Sequence, residues 1–322
     1  MKTWQGEIAD HVRKWSASLG NLGWWPKFVY HFTDVLNAVS ILETGNLYSR
    51  SEASRLGLMQ SENASPEIIQ STRPEHLQYV RLYFRPRTPT QYRNEGMRPK
   101  NQRELGGAHC AIPVFFCLDS LPVLALDNSE FSNGNMGSSR ARHSSERDFF
   151  NKIPFDRVFH DGWFSDDESK EIVFRRNAEV LIPQKLLLEP YLRRIVCRSA
   201  AERQTLLHLL SEKARRKWSS KVTLAEHGFF ERKWTYVEEV VTVENKVIFR
   251  FNPNTCTPGP FQVYFSYREH NEPSPREWQG EEKSLTKRLS LILRNVNHGE
   301  CKLYLDDSLA FADNIIFDEI PF

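Results

Sequence analysis

Residues 83–94 read YFRPRTPTQYRN, an aromatic pair, three arginines and two prolines within one short segment. The apolar approach of Val80 to Leu82 suits a strand that ends at Tyr83 and Phe84. Pro86 and Pro89 then oppose both helix continuation and central-strand pairing, which predicts a fixed, extended loop. A loop stiffened in this way loses little entropy on binding. It can hold Arg85, Arg87 and Arg93 in set directions, where planar guanidinium forks suit phosphate oxygens. Taken alone, an arginine-rich segment of this kind also fits a solvated turn.

Working outward, Phe28 to Phe32 reads as a short strand, followed by Thr33 or Asp34 as an N-cap. Val35, Leu36, Val39 and Leu42 share a helical face, and Gly45 supplies the stop. His31 and Thr33 fall at the strand end, where an imidazole and a hydroxyl can meet a ligand, although a lone histidine there also fits a structural role. Residues 49–75 read as a long polar loop with a short helix at Pro66 to Ser71. Residues 111–118 and 121–126 read as buried strands, and the Ser/Asn/Gly-rich stretch Asn128 to Arg147 as a surface loop near substrate. In Glu171 to Pro183, alternation predicts a strand with Ile172, Phe174, Ala178 and Val180 on one face and Arg175, Asn177 and Glu179 on the other. A glutamate on such a strand needs a partner: a rim ion pair with Arg175 is one solution and a functional site another.

Four blocks stand in order along the chain: YHFTDVLNAVSILETGNLYSR (Tyr30 to Arg50), NASPEIIQSTRPEHLQYVRLYFRPRTPTQYRN (Asn63 to Asn94), FSNGN (Phe131 to Asn135) and RRNAEVLIP (Arg175 to Pro183). This ordered set resembles the DarT family of NAD-dependent DNA ADP-ribosyltransferases, the toxins of toxin–antitoxin pairs, over residues 28 to 190 or so. The resemblance implies an α+β fold, an ADP-ribosyltransferase-like mixed β core with flanking helices. It implies NAD+ as co-substrate, no metal, and single-stranded DNA as acceptor, with a macrodomain antitoxin of the DarG type as partner and phage defence or growth control as setting. By the same resemblance Glu179 and Arg87 are catalytic, and His31, Thr33, Tyr83 and Arg87 hold the cofactor. Arg85, Tyr92, Arg93, Arg140 and Arg142, with Arg98 and Phe131, would form a basic, stacking groove for an unpaired strand. Thr88 and Thr90 replace the family's usual serine and methionine, and FSNGN its threonine–aspartate form. Both changes lie on the expected acceptor side and leave thymine and guanine open as the modified base. A transferase acting on protein or RNA, an NAD glycohydrolase, and a non-catalytic binding protein are the competing readings.

Composition bounds the rest. The 322 residues allow two modest domains, and 43 Lys+Arg against 41 Asp+Glu leave a net charge of +2, so any basic surface must be local. No apolar run reaches the length of a membrane span, and the polar amino-terminal residues do not read as a signal peptide, which predicts a cytoplasmic protein without membrane association. The five cysteines form no C-x-x-C pair or zinc spacing with the histidines and read as buried small hydrophobes. Residues 1–27 predict a helical extension, with Trp4, Trp15, Trp24 and Trp25 as packing anchors. A capping box at Ser199 and Glu202 opens a helix that runs to a basic last turn at Lys217. Beyond Trp234 the pattern turns to strands separated by turn signals, among them Asn297-His298-Gly299. Three units follow: 1–27, a transferase domain over 28–235, and a β-rich, sandwich-like extension over 236–322 without a catalytic constellation.

Overall fold

A computed structural model of the chain describes residues 1–61, 73–104, 109–269, 272, 274–280, 283–285, 287–293 and 298–317. The expected helix at Pro66 to Ser71 lies outside them. The first helix, Gln5–Ser18, lays Trp4 and Trp15 against the main core, and Trp25 is fully buried.

The centre is an eight-stranded mixed sheet. It contains β1 (Phe28–Asp34), β3 (Tyr79–Tyr83), β4 (Pro113–Asp119), β5 (Glu130–Ser132), β6 (His143–Ser144), β7 (Glu179–Pro183), β9 (Leu192–Cys197) and β10 (Val222–Leu224), in the spatial order β10-β9-β4-β1-β3-β7-β5-β6. Its pairs are antiparallel except β9 with β10. β2 (Asn46–Tyr48) and β8 (Lys185–Leu187) form a separate ribbon. Strand β4 is apolar without alternation because both its faces are covered. Val114, Phe116 and Leu118 enter one core cluster, while Phe115 and Cys117 enter another with Phe229 and Phe230. Asp34 caps the Val35–Thr44 helix by accepting from Leu36 N–H at 3.1 Å, and Gly45 ends it at φ 70°.

Several local expectations are corrected. Residues 121–126 are not a strand, since Ser120–Leu124 is a short helix. Pro122 is tolerated in its first turn, where amide donors have no helical partner in any case. Residues 83–94 are extended only at first. Thr88 accepts from Gln91 N–H at 3.2 Å and Pro89 begins a helix, Pro89–Asn94, so this proline is a helix starter. Polar residues 50–55 are helical rather than loop, with Ser49 as N-cap. Within Asn128 to Arg147 the chain makes β5 and β6, and Phe131 is fully buried. Residues 171–176 are not strand either. They close the helix Asp166–Arg176, opened by a Ser165–Glu168 capping box with an acidic first and basic last turn, so β7 begins only at Glu179. The helix that starts at Ser199 stops at Leu209, and Ser211 caps a second one, Glu212–Trp218. Ser199 accepts from Glu202 N–H, but the Glu202 carboxylate turns to Arg198 instead of completing a capping box.

The carboxy-terminal strands make two sheets. β11 (Val237–Val243), β12 (Lys246–Phe251) and β15 (Arg288–Ile292) form one; β14 (Arg276–Gln279), β13 (Val263–Glu269), β16 (His298–Leu305) and β17 (Ser308–Ile316) form the other. Their inner faces share one core, with Phe249 against Phe265 and Phe311. His298 and Gly299 belong to β16 and not to a turn.

Candidate active site

Strands β1, β3 and β7 lie side by side, and their registers bring the site together. Tyr83 stands opposite Tyr30 on one side and opposite Glu179 on the other. Directly opposed residues share a face, as do residues two apart, so Arg81, Tyr83 and Glu179 project together. Above β1 and β3 opens a cavity of about 250 Å³, lined by His31, Thr33, Tyr79, Arg81 and Tyr83 among others. The Val35–Thr44 helix closes one side, where Asn37 donates to Ser61 C=O at 2.8 Å and accepts from the Gln60 and Ser61 amides. The Pro89–Asn94 helix closes another with Thr90 and Asn94.

The electrostatics follow from burial. Arg81 donates to both oxygens of Glu179, at 2.5 and 2.6 Å. Glu179 is 1% exposed, and burial pushes its carboxyl up from the usual range against the opposing pull of Arg81. The Arg81 carbonyl contacts His31 Nδ1 at 3.2 Å. A carbonyl only accepts, so Nδ1 carries the proton and the neutral ring leaves Nε2 as an acceptor. Burial lowers the His31 pKa and favours that neutral form. Tyr83 is pushed up to about 12, first by burial and then by the Glu179 charge, and stays protonated as a donor.

Of the residues singled out in the sequence, His31, Thr33 and Tyr83 line the cavity, and Glu179 lies behind its wall against Arg81. Arg85 and Arg87 are placed elsewhere. The Arg85 side chain is 1% exposed, lies 4.2 Å over the Trp25 ring, and donates to Asp161 at 2.9 Å and to the His160 carbonyl. Burial, partly offset by Asp161, takes its pKa down to about 9. It is a core residue here and not a contact for a DNA strand. Arg87 takes a positive φ of 56° and pairs with Asp161 at 3.1 Å and Glu231 at 3.3 Å, facing a separate cleft that includes His227 and Phe230. Phe84 and Phe131 are core side chains, and Arg98 is buried with its guanidinium 3.7 Å over Trp234. Tyr92 and Arg93 are exposed on the helix whose Thr90 and Asn94 line the cavity. Lys233 donates to the Tyr92 hydroxyl, adding a cation beside that ring. Arg140 and Arg142 are exposed between β5 and β6, with Arg140 3.3 Å from Glu171.

Sequence reasoning missed Arg81, the arginine that does face the cavity. Its signal was a charge inside the otherwise apolar run YVRLY, which needs a buried partner. Among the described residues no group of three or more His, Cys, Asp or Glu could hold a metal ion, and no helix is long and apolar enough to cross a membrane.

Three comparisons with known proteins bear on this arrangement. The family model of DarT, described as an ssDNA thymidine ADP-ribosyltransferase, matches residues 30–230. Among solved structures, DarT of Thermus sp. 2.9 in complex with ADP-ribosylated ssDNA is similar at a TM-score of 0.50 and 17% identity, covering 64% of this chain and 97% of that one. The same protein in complex with NAD+ gives a TM-score of 0.48 at 17% identity, covering 64% and 98%. Among curated proteins none matches.

Proposed function

The chain belongs to the DarT family of NAD-dependent single-stranded-DNA ADP-ribosyltransferases, and from that premise we propose that it modifies thymine, with Glu179 as the catalytic carboxylate beside the cavity. The observation that carries the reading is that His31, Thr33 and Tyr83 line one cavity together with Arg81, which holds Glu179 directly behind that wall. The thymine assignment is supported by the family's description. NAD+ fits the cavity chemically: its named lining offers arginine, histidine, hydroxyl and aromatic groups, and no carboxylate among the described residues to repel a pyrophosphate.

In the reaction the bond between nicotinamide and ribose breaks, and a base atom of the DNA takes the ribose carbon while losing a proton. Positive charge grows on the sugar as the pyridine departs, and a buried carboxylate brought to face it stabilises that charge far more than one in water. Glu179 also has the basicity to take the base proton, because burial raises its pKa. His31 Nε2 accepts from the nicotinamide amide, and Thr33 and Tyr83 fix the sugar and ring. Arg85 and Arg87, tied to Asp161, hold the segment between Tyr83 and the Pro89–Asn94 helix in place.

On the acceptor side, Tyr92, Arg93, Arg140 and Arg142 offer exposed charge and an aromatic face to an unpaired strand. We assign the β-rich residues 236–322 to a unit distinct from the transferase over 28–235. We further place the protein in the cytoplasm as the toxin of a pair whose DarG-type macrodomain partner removes the ADP-ribose, in phage defence or growth control.

The test is intact-mass analysis of short single-stranded oligonucleotides, each lacking one base type, after incubation with the protein and NAD+. The expected result is an added ADP-ribose that disappears only when thymine is absent. An adduct lost only without guanine would reassign the base, and NAD+ consumed without any adduct would replace the DNA reading with hydrolysis or another acceptor.

A further inference from the structure

The Arg81–Glu179 pair poses a problem for the chemistry just described. Arg81 is 30% exposed and forms the cavity wall at this point, while Glu179 is 1% exposed and lies behind it with both oxygens engaged. A sugar entering the cavity meets the guanidinium before it meets the carboxylate. The cavity also has a need of its own. A dinucleotide brings a pyrophosphate, and the cavity's described lining holds two arginines, Arg50 and Arg81. A guanidinium fork suits phosphate as well as it suits a carboxylate, so the two anions compete for one partner.

Resting on the reading of the site given above, we propose that Arg81 is a pyrophosphate-binding residue of the cavity, and that it reaches the dinucleotide by leaving Glu179. The exchange serves two ends. It covers the carboxylate while the cavity holds no substrate, and it exposes Glu179 only when a pyrophosphate is present to take the guanidinium. Arg81 stands on a central strand whose backbone is fixed by β1 and β7, so the side chain alone moves. Its carbonyl keeps His31 in place throughout.

Competition makes a prediction opposite to that of a static ion pair. If Glu179 and pyrophosphate share Arg81, removing the carboxylate must tighten pyrophosphate binding. ADP is the probe, because it carries the pyrophosphate without the nicotinamide ribose. The experiment is calorimetric titration of the full chain with ADP, for the wild type, Glu179→Gln, Arg81→Gln and the double variant. Glu179→Asp, which retracts the carboxylate by one methylene, stands in if the glutamine variant does not fold. The expected result is at least threefold tighter binding in Glu179→Gln, a tenfold or greater loss in Arg81→Gln, and no effect of Glu179→Gln once Arg81 is gone. Unchanged or weaker binding in Glu179→Gln, or tightening that persists without Arg81, would overturn the proposal. Oligonucleotide adducts formed by a wild type whose Glu179→Gln variant shows no tightening remove this inference alone. An absence of both ADP binding and adducts removes the functional reading with it.

Discussion

Glu179→Gln keeps the shape of the side chain and removes its charge. Adduct formation is expected to fall about a hundredfold or more, the usual effect of losing one aimed electrostatic group. The check is the rate of oligonucleotide adduct formation, with circular dichroism to show that the fold is kept. At this scale the sequence was legible for the placement of His31, Thr33 and Tyr83, which come from separate blocks to line one cavity. It said less about an arginine's partners. Arg85, Arg87 and Arg98 have the fork that suits phosphate, but Asp161, Glu231, Trp25 and Trp234 satisfy it within the protein. Those partners lie far along the chain, beyond the reach of any local pattern.

Of the helices that shape the cavity, Val35–Thr44 was legible from its caps and apolar face, while Pro89–Asn94 was not, for a local reason. Two prolines in YFRPRTPTQYRN read as breakers, yet Pro89 follows an N-cap threonine and so begins a helix. Replacing that cap in Thr88→Ala is expected to cost about 1 kcal/mol of stability, measured by denaturant unfolding. Because Thr90 and Asn94 line the cavity, the same variant should also weaken ADP binding, which calorimetry would register. Residues 121–126 illustrate a different limit, since a short apolar run has no period to separate buried helix from buried strand. The turn between β5 and β6 carries Arg140 and Arg142 clear of the core. Reversing both charges, Arg140→Glu with Arg142→Glu, should weaken binding to a single-stranded oligonucleotide and flatten its dependence on salt by about one logarithmic unit or more. Fluorescence titration across a salt series gives that slope, and an unmoved slope would place the strand elsewhere.

Across the whole molecule, the transferase fold was legible from four ordered blocks and the terminal sandwich from its alternating strands, but nothing in the sequence announced how they are joined. The join is a buried ionic cluster. Arg198 donates to Glu202 and to the Ala111 carbonyl, lies 3.5 Å from Glu95, and packs 4.0 Å over Tyr236. Glu95 in turn accepts from Gln91 and from the Glu231 and Arg232 amides. Burial outweighs Arg198 and raises the Glu202 pKa to about 7. The folded protein therefore holds a proton that the unfolded chain releases above its ordinary value of 4.5, so this group removes stability as pH rises from there to about 7. Glu202→Gln should lose that slope, and melting temperatures of the two proteins across pH 4 to 8 would show the difference growing in the variant's favour. The Ala200–Leu209 helix stands at the same junction, with Leu206 in the core of the large sheet, Ala201 in that of the sandwich, and Thr205 accepting from Ala312 N–H at 3.0 Å. One rod thus serves as a party wall between two rooms, and neither can be demolished without opening the other. Heat should accordingly dismantle the molecule in a single calorimetric peak, and the terminal strands are not a cassette that can be clipped away at residue 235 without leaving an oily scar.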